Sequence, residues 1–392
     1  MQNFVFTNPT TIVFGKGQEG QVGALCSELG SRVLILHYGG TFLQDIGLYD
    51  GMMASFKEAG LFTMELGGVV SNPQLDLVEE GIRLCRENNI DCLLAVGGGS
   101  VIDTAKSIAA GMSVEGDIWD YYTGAKKSED RYKKALPIGV ILTIAAAGSE
   151  SSPAAVLSKG HEKLMISSPN LIPKFAILNP EFTYGLPAYQ TAAGGADIIS
   201  HLLERYFTQE KHVDLTDRLL EGAIKTMMYI LPRVLKAPKN YDYRAEMMWC
   251  GTIAHNGILG CGRIEDWASH NIEHELSGAY NITHGAGMAI MFPAWMKYCY
   301  KENPARFVQF ATRVMDVSIA YDNEEELILE GIKRFEDFLV SVGMPVRLSD
   351  AGITDDSKFD EMAHRSMLGG ECMGYFKKLY EKDARNILEL AK

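Results

Sequence analysis

Two domains of different class are what this sequence predicts: an α/β nucleotide-binding domain with a parallel sheet over residues 1–187, then an all-α metal-binding domain over 188–392. Three observations carry this. Short β-branched apolar runs alternate with helical patterns from residue 31 to about 180, the signature of βα units. Beyond "NPEFTYGLP" the strand signal gives way to 3.6-residue periodicity, broken only by turns such as "KAPKNYD" and "VGMPVR". No repeat, low-complexity tract or long linker separates the two halves, so the boundary is a change of architecture.

In chain order, "FTNPTTIVFGKG" places turn residues between two β-rich pieces and reads as a hairpin that adds an edge or meets a second subunit. The strands of the alternating region are "RVLILHY" (32–38), "DCLLAVG" (91–97), "LPIGVILT" (136–143) and "KFAILNP" (174–180). Each is a short apolar run bounded by turn formers, as strands buried on both faces should be.

Composition narrows the partners. The chain has 392 residues, 47% hydrophobic and 22% charged, and a formal charge of −13, which argues against a nucleic-acid backbone or an anionic membrane surface. A small molecule remains. The seven cysteines, Cys26, Cys85, Cys92, Cys250, Cys261, Cys299 and Cys372, are scattered and form no C-x-x-C pair, so a reducing cytoplasm fits better than a disulfide framework. The opening "MQNFVFTNPT" has neither the charged nor the apolar region of a secretory leader, and nowhere do eighteen apolar residues run together.

Chemistry concentrates in three places. "CLLAVGGGSVIDTAKSIAAG" sets Gly97, Gly98, Gly99 and Ser100 between a buried strand and a helix, where free N–H groups and the helix dipole suit a pyrophosphate. A plain tight turn with Ser100 as N-cap is the bland alternative, and the spacing is neither G-x-G-x-x-G nor a Walker loop. Asp103 and Lys106 just behind it suit either a surface ion pair or a ribose or nicotinamide contact. In "HYGGTF", Gly39, Gly40 and Thr41 follow the first strand of the alternation. An NAD site normally offers an acid there, and residues 38–42 hold none, which leans toward NADP(H) over NAD(H).

The third place is a pair of histidine clusters. In "GGADIISHLLE", Asp197 and His201 are four apart on a helix, so their side chains reach toward one point. In "DWASHNIEHELSGAYNITHGAGMAI", His270 and His274 repeat that spacing and His284 follows a turn. Any one of these is more often a satisfied histidine than a ligand. Together, Asp197, His201, His270 and His284 offer one carboxylate and three imidazoles, a set suited to a divalent transition metal acting as Lewis acid.

"AVGGGSVIDTAK", "LTIAAAGSE", "GGADIISHLLE" and "HNIEHELSGAYNITHGAGMAI", in this order and spacing, resemble the iron-containing (group III) alcohol dehydrogenases, on the branch of butanol dehydrogenases and broad aldehyde reductases. The resemblance covers nearly the whole chain. It implies reversible hydride transfer between NAD(P)H and short to medium aldehydes or primary alcohols, a bound Fe2+ or Zn2+, and a homodimer. By position it puts Asp197, His201, His270 and His284 on the metal ligands and His274 beside the substrate as a proton carrier. It puts Gly97, Gly98, Gly99, Ser100 and Asp103 on the cofactor turn, and Thr143 and Lys163, in the loop around "SKGHEK", on the nicotinamide and ribose side. Where NADPH-using relatives tend to read Tyr-Gly-Gly-Gly-Ser with a lysine two residues on, this chain has Tyr38-Gly39-Gly40-Thr41-Phe42 and Gln44: the serine and the lysine that would hold a 2′-phosphate are both missing, and Thr41 substitutes for them only in part. Two rival activities share the architecture. A glycerol-type polyol dehydrogenase has one histidine fewer in its metal set, and a dehydroquinate-synthase-like lyase needs several basic residues by the metal, where these segments offer little beyond Arg263.

Overall fold

The computed structural model describes residues 1–126, 132–320 and 323–392, and they fall into two compact units. One comprises Thr7–Leu186 with Lys239–Asn256; the other comprises Met1–Phe6, Pro187–Pro238 and Gly257–Lys392. Two short segments therefore lie across a simple division at 187: the first six residues belong with the helical unit, and the Tyr241–His255 helix packs on short helical turns of the α/β unit.

The α/β unit holds eight strands among its described residues: β1 (Thr11–Phe14), β2 (Arg32–Leu36), β3 (Phe62–Leu66), β4 (Cys92–Gly97), β5 (Ile138–Leu142), β6 (Ala154–Lys159), β7 (Glu162–Ser167) and β8 (Phe175–Leu178). Six form a fully parallel sheet in the order β1-β8-β5-β4-β2-β3. All six residues of β4 and all five of β5 are buried, which is why their sequences run apolar without alternation. Val33, Ile35, Leu94, Val96, Ile141 and Ile177 pack with Val22, Met52 and Phe56 into its core.

The N-terminal stretch is not a hairpin. Only Thr11–Phe14 is a strand, paired parallel with β8 at the sheet edge. The residues before it are drawn elsewhere: Gln2 N–H donates to Gly262 O at 2.9 Å, inside the helical unit. Nor is "SKGHEK" an open loop. It is the tight turn of an antiparallel β6–β7 hairpin, with Lys163 in β7 opposite Ser158.

The sheet topology points to a ligand site. From β2 the chain moves to β3 on one side; β4, β5 and β8 then extend on the other. The carboxyl ends of β2 and β4 thus flank the place where strand order reverses, the preferred position for a nucleotide in an open α/β sheet. Residues 37–41 follow β2 and the glycine turn follows β4.

The helical unit is built on three long neighbours, Ala188–Tyr206, Ala268–Tyr280 and His284–Cys299. The first and third come very close. A Cβ on Gly285 would lie 1.9 Å from Ala193 O, so only glycine permits this approach. No helix is long and apolar enough, among the described residues, to cross a membrane.

Candidate metal centre and nucleotide-binding turn

These three helices carry the polar cluster. Asp197 and His201, one turn apart, are 4% and 5% exposed, and His270 is 4% exposed. One ligand atom from each of these three lies within 4.8 Å of the others. His284, first residue of its helix, brings Nε2 to 3.5 Å from Asp197 Oδ1, while His201 Nδ1 is 3.6 Å from the same oxygen. The rings of His201 and His270 stack at 4.9 Å, and that of His284 is 5.4 Å from His270. The four residues singled out in sequence thus converge. His274 stands beside them, half-buried, its ring 5.5 Å from His284 and 6.5 Å from His270. A second grouping, Glu273 with His274 and His284, shares His284.

Two carboxylates that sequence reasoning missed complete the cluster. Glu204 accepts from His270 Nδ1 at 2.6 Å, and Glu273 accepts from His284 Nδ1. A carboxylate only accepts, so both Nδ1 atoms carry the proton, and in the neutral rings both Nε2 atoms present a lone pair. For His270 that lone pair is buried without a hydrogen-bond partner among the described residues. An unsatisfied imidazole nitrogen aimed into a carboxylate-imidazole cluster is what a divalent metal would satisfy, so the residues present fit such an ion. A signal was available in the sequence. Both helices carry H-x-x-E, at His201/Glu204 and His270/Glu273.

Basic residues near the cluster are already engaged. Arg205 binds Glu265 at 3.1 Å and lies over the Trp267 ring, and Arg263 binds Asp217 at 2.9 Å. This leaves little to receive a phosphorylated substrate.

In the α/β unit, Gly98 ends β4's turn in extended conformation and caps the Gly99–Met112 helix, so Ser100 is in the first turn and not the cap. Gly98 N–H donates to Tyr38 Oη at 3.0 Å, joining the carboxyl ends of β2 and β4. Gly99 and Ser100 begin the helix, where N–H groups have no carbonyl a turn earlier and stay available to an anion. Thr143 N–H donates to Gly97 O at 3.1 Å, and Thr143 Oγ1 is buried with no hydrogen-bond partner among the described residues. Lys163, 7% exposed, makes no side-chain hydrogen bond among the described residues. A lysine and a buried hydroxyl with a donor to spare fit an anionic, hydroxyl-rich ligand.

Asp103 and Lys106 are not a surface pair. Asp103 accepts from Ser149 Oγ at 2.6 Å and from Val156 N–H at 3.0 Å; burial raises its pKa, while Lys106, Ser149, Val156 and Lys163 pull it down. Lys106 is fully buried and donates to Ser149 O, Ser152 O and Ala154 O at 2.7–2.9 Å. Burial lowers Lys106 to about 8, against the pull of Asp103 and Glu150. Both residues thereby fasten the 149–156 segment behind the glycine turn.

Gly39 and Gly40 sit at φ +94° and +58°, and a Cβ on Gly39 would lie 2.9 Å from Gly68 N. Thr41 is exposed, but its hydroxyl donates to Asp45 Oδ2 at 2.9 Å. An acid therefore stands beside this loop, one helical turn beyond residues 38–42.

Known proteins bear on this arrangement in three ways. Residues 9–180 match the family described as iron-containing alcohol dehydrogenase, and residues 191–391 match the C-terminal domain of the Fe-containing alcohol dehydrogenase family. The chain is 41% identical to probable NADH-dependent butanol dehydrogenase 1 of Bacillus subtilis (strain 168), over 99% of each chain, and 36% identical to the NADPH-dependent aldehyde reductase YqhD of Escherichia coli (strain K12), over 91% of each. The crystal structure of NADH-dependent butanol dehydrogenase A from Thermotoga maritima superposes with a TM-score of 0.93 at 41% identity, covering 100% of this chain and 99% of that one. The chain belongs to the iron-containing alcohol dehydrogenase family.

Proposed function

We propose that this chain is a metal-dependent alcohol dehydrogenase and aldehyde reductase, acting on short to medium aldehydes and primary alcohols with NADH as its better cofactor. The observation that carries the reading is the convergence of buried Asp197, His201 and His270 with half-buried His284, whose Nε2 is 3.5 Å from Asp197 Oδ1, and with His270 Nε2 unsatisfied. Relatives described as butanol dehydrogenases and an aldehyde reductase support the substrate class. When bound, the ion (iron, which the family description names, as Fe2+, or else Zn2+) polarises the substrate oxygen and the nicotinamide carries the hydride.

The chain's own residues do the placing. Asp197 gives the cluster one negative charge against three neutral imidazoles, which leaves a bound divalent ion net positive and able to stabilise a developing alkoxide. His274, close to the cluster yet half-exposed, passes the proton between the alcohol oxygen and solvent. In the α/β unit, the Gly97–Ser100 turn holds the diphosphate, Thr143 and Lys163 orient the ribose and nicotinamide side, Asp103 keeps the turn's backing in place, and Gly39, Gly40 and Thr41 face the adenosine ribose. Nucleotide binding by 1–187 and metal binding by 188–392 is the division of labour in this reading.

The sequence leans toward NADPH, whereas the Thr41–Asp45 hydrogen bond supports the opposite preference. The Thr41 hydroxyl, the one side-chain donor expected to hold a 2′-phosphate, is spent on Asp45. Asp45 adds a negative charge where that phosphate would sit and an acceptor for ribose hydroxyls. Relatives at 38–41% identity are described as NADH-dependent, while the NADPH-dependent one is 36% identical. The test is initial rates of NADH and NADPH oxidation with a panel of short and medium aldehydes, after reconstitution with Fe2+ or Zn2+. NADH is expected to lead by about one decade in kcat/KM, roughly 1.4 kcal/mol, and Asp45→Asn to narrow the gap. Equal or better use of NADPH by the wild type overturns the cofactor assignment, and no aldehyde turnover with either metal overturns the activity.

A cytoplasmic homodimer completes the reading. Free cysteines throughout support a reducing compartment, and the outer edge of β1 has no strand partner among the described residues, as a subunit contact would use. Light scattering should give twice the 43.2 kDa chain mass, and a monomer at assay concentration would refute it.

A further inference from the structure

We infer that Glu204 and Glu273 are positioning residues that lace the three helices of the metal centre together, each holding a ligand on the next helix, and that Gly287 is glycine to leave room for the second. This rests on the reading of Asp197, His201, His270 and His284 as the ligand set.

Both carboxylates are almost wholly buried, Glu204 at 1% exposed and Glu273 at 0%. A buried carboxylate persists only where donors satisfy it. Glu204, on Ala188–Tyr206, accepts from His270 Nδ1 at 2.6 Å, from the Ser269 hydroxyl, and from Trp267 N–H at 2.8 Å. Glu273, on Ala268–Tyr280, accepts from His284 Nδ1 and from the Ser277 hydroxyl. Each lies three residues after a histidine on its own helix, yet each serves the histidine of the following helix. The pattern is directional: Glu204 to His270, then Glu273 to His284.

The arrangement does two things for the centre. It fixes the tautomer, so that Nε2 and not Nδ1 faces the cluster, and it fixes the ring plane, since the imidazole is held at its far nitrogen. Trp267, at the entry to the second helix, sits at φ +66°, a backbone conformation costly for a bulky residue. Its N–H bond to Glu204 and its indole bond to Glu265 at 2.7 Å hold it there. Gly287 supplies the independent observation. A Cβ at this position would lie 2.3 Å from Glu273 Oε1, 2.9 Å from Cγ and 3.0 Å from Cδ. In a helix interior alanine is ordinarily the better residue by about 1 kcal/mol. The glycine is retained where an added methyl would push Glu273 off His284.

The test uses the full chain, metal-stripped and titrated with Co2+ or Zn2+ against a competing chelator, alongside the thermal melting of the metal-free protein. Glu204→Gln, Glu273→Gln and Gly287→Ala are each expected to weaken metal binding about 10- to 100-fold, with a changed cobalt visible spectrum. Gly287→Ala is the decisive variant, because it touches no ligand and improves helix propensity. If the metal-free protein melts unchanged or higher while metal affinity falls, the positioning role stands. If folded Glu273→Gln and Gly287→Ala bind metal as the wild type does, the inference is overturned and the carboxylates only pack and cap. Glu204 also caps a helix, so if Glu204→Gln fails to fold, the other two variants decide. Failure of the underlying reading looks different: Asp197→Ala would then bind metal as tightly as the wild type.

Discussion

Asp197→Ala is expected to lower kcat/KM for aldehyde reduction by about three decades or more, roughly 4 kcal/mol of transition-state stabilisation, and to leave the purified protein nearly free of metal. The size follows from the charge count. Asp197 is the one anion in a proposed set of three neutral imidazoles, and its Oδ1 is within 3.6 Å of both His201 and His284. Removing it takes away the one anionic side chain among the proposed ligands, in a largely buried cluster where its attraction for a cation is least screened. It also frees the two imidazoles that converge on it. Metal content by atomic emission and steady-state rates after reconstitution check the prediction together. Activity within tenfold of wild type, with one ion still bound per chain, would remove Asp197 from the centre.

The residues legible in sequence were those whose chemistry is unusual for their position. An acid and a histidine one turn apart in an apolar helix announce themselves, and so do three glycines between a buried strand and a helix. The strands β2, β4, β5 and β8 were legible for the same reason, as apolar β-branched runs buried on both faces. β3 was not. "FTMEL" is an edge strand, exposed at Phe62 and only half-buried through Thr63 and Met64, so its composition carries no strong pattern. The β6–β7 hairpin was hidden by the charged residues of its turn, although Lys163 itself is buried. Glu204 and Glu273 were passed over because a glutamate in a helix is ordinarily a solvated residue; only the tertiary pairing shows that each is buried against a histidine 66 and 11 positions away. The Thr41–Asp45 bond was missed for a local reason. The acid is not on the loop itself but on the helical turn that follows it.

Gly98→Val is expected to raise the dissociation constant for NADH about 100-fold or more, roughly 2.7 kcal/mol, while the protein stays folded. The backbone at this position is extended, so valine meets no conformational penalty of its own. The conflict is with neighbours. A bare Cβ already lies 3.0 Å from Tyr38 Oη and 3.1 Å from Ile144 Cβ and Cδ1, and the two γ-methyls of valine need space beyond that. They gain it either by displacing the Tyr38 ring, which breaks the Gly98 N–H bond linking the ends of β2 and β4, or by projecting over the turn where a diphosphate would approach the backbone. Both routes damage the same site and leave the core of the sheet alone, since β4 itself ends at Gly97. Gly99→Ala provides the graded control: its Cβ meets only Ala147 Cβ at 3.2 Å, a contact relieved by a shift of a few tenths of an ångström, so the affinity should change less than tenfold. Cofactor titration by fluorescence and a thermal melt separate the effects. A folded Gly98→Val protein that binds NADH as the wild type does would show that the diphosphate does not lie on this turn.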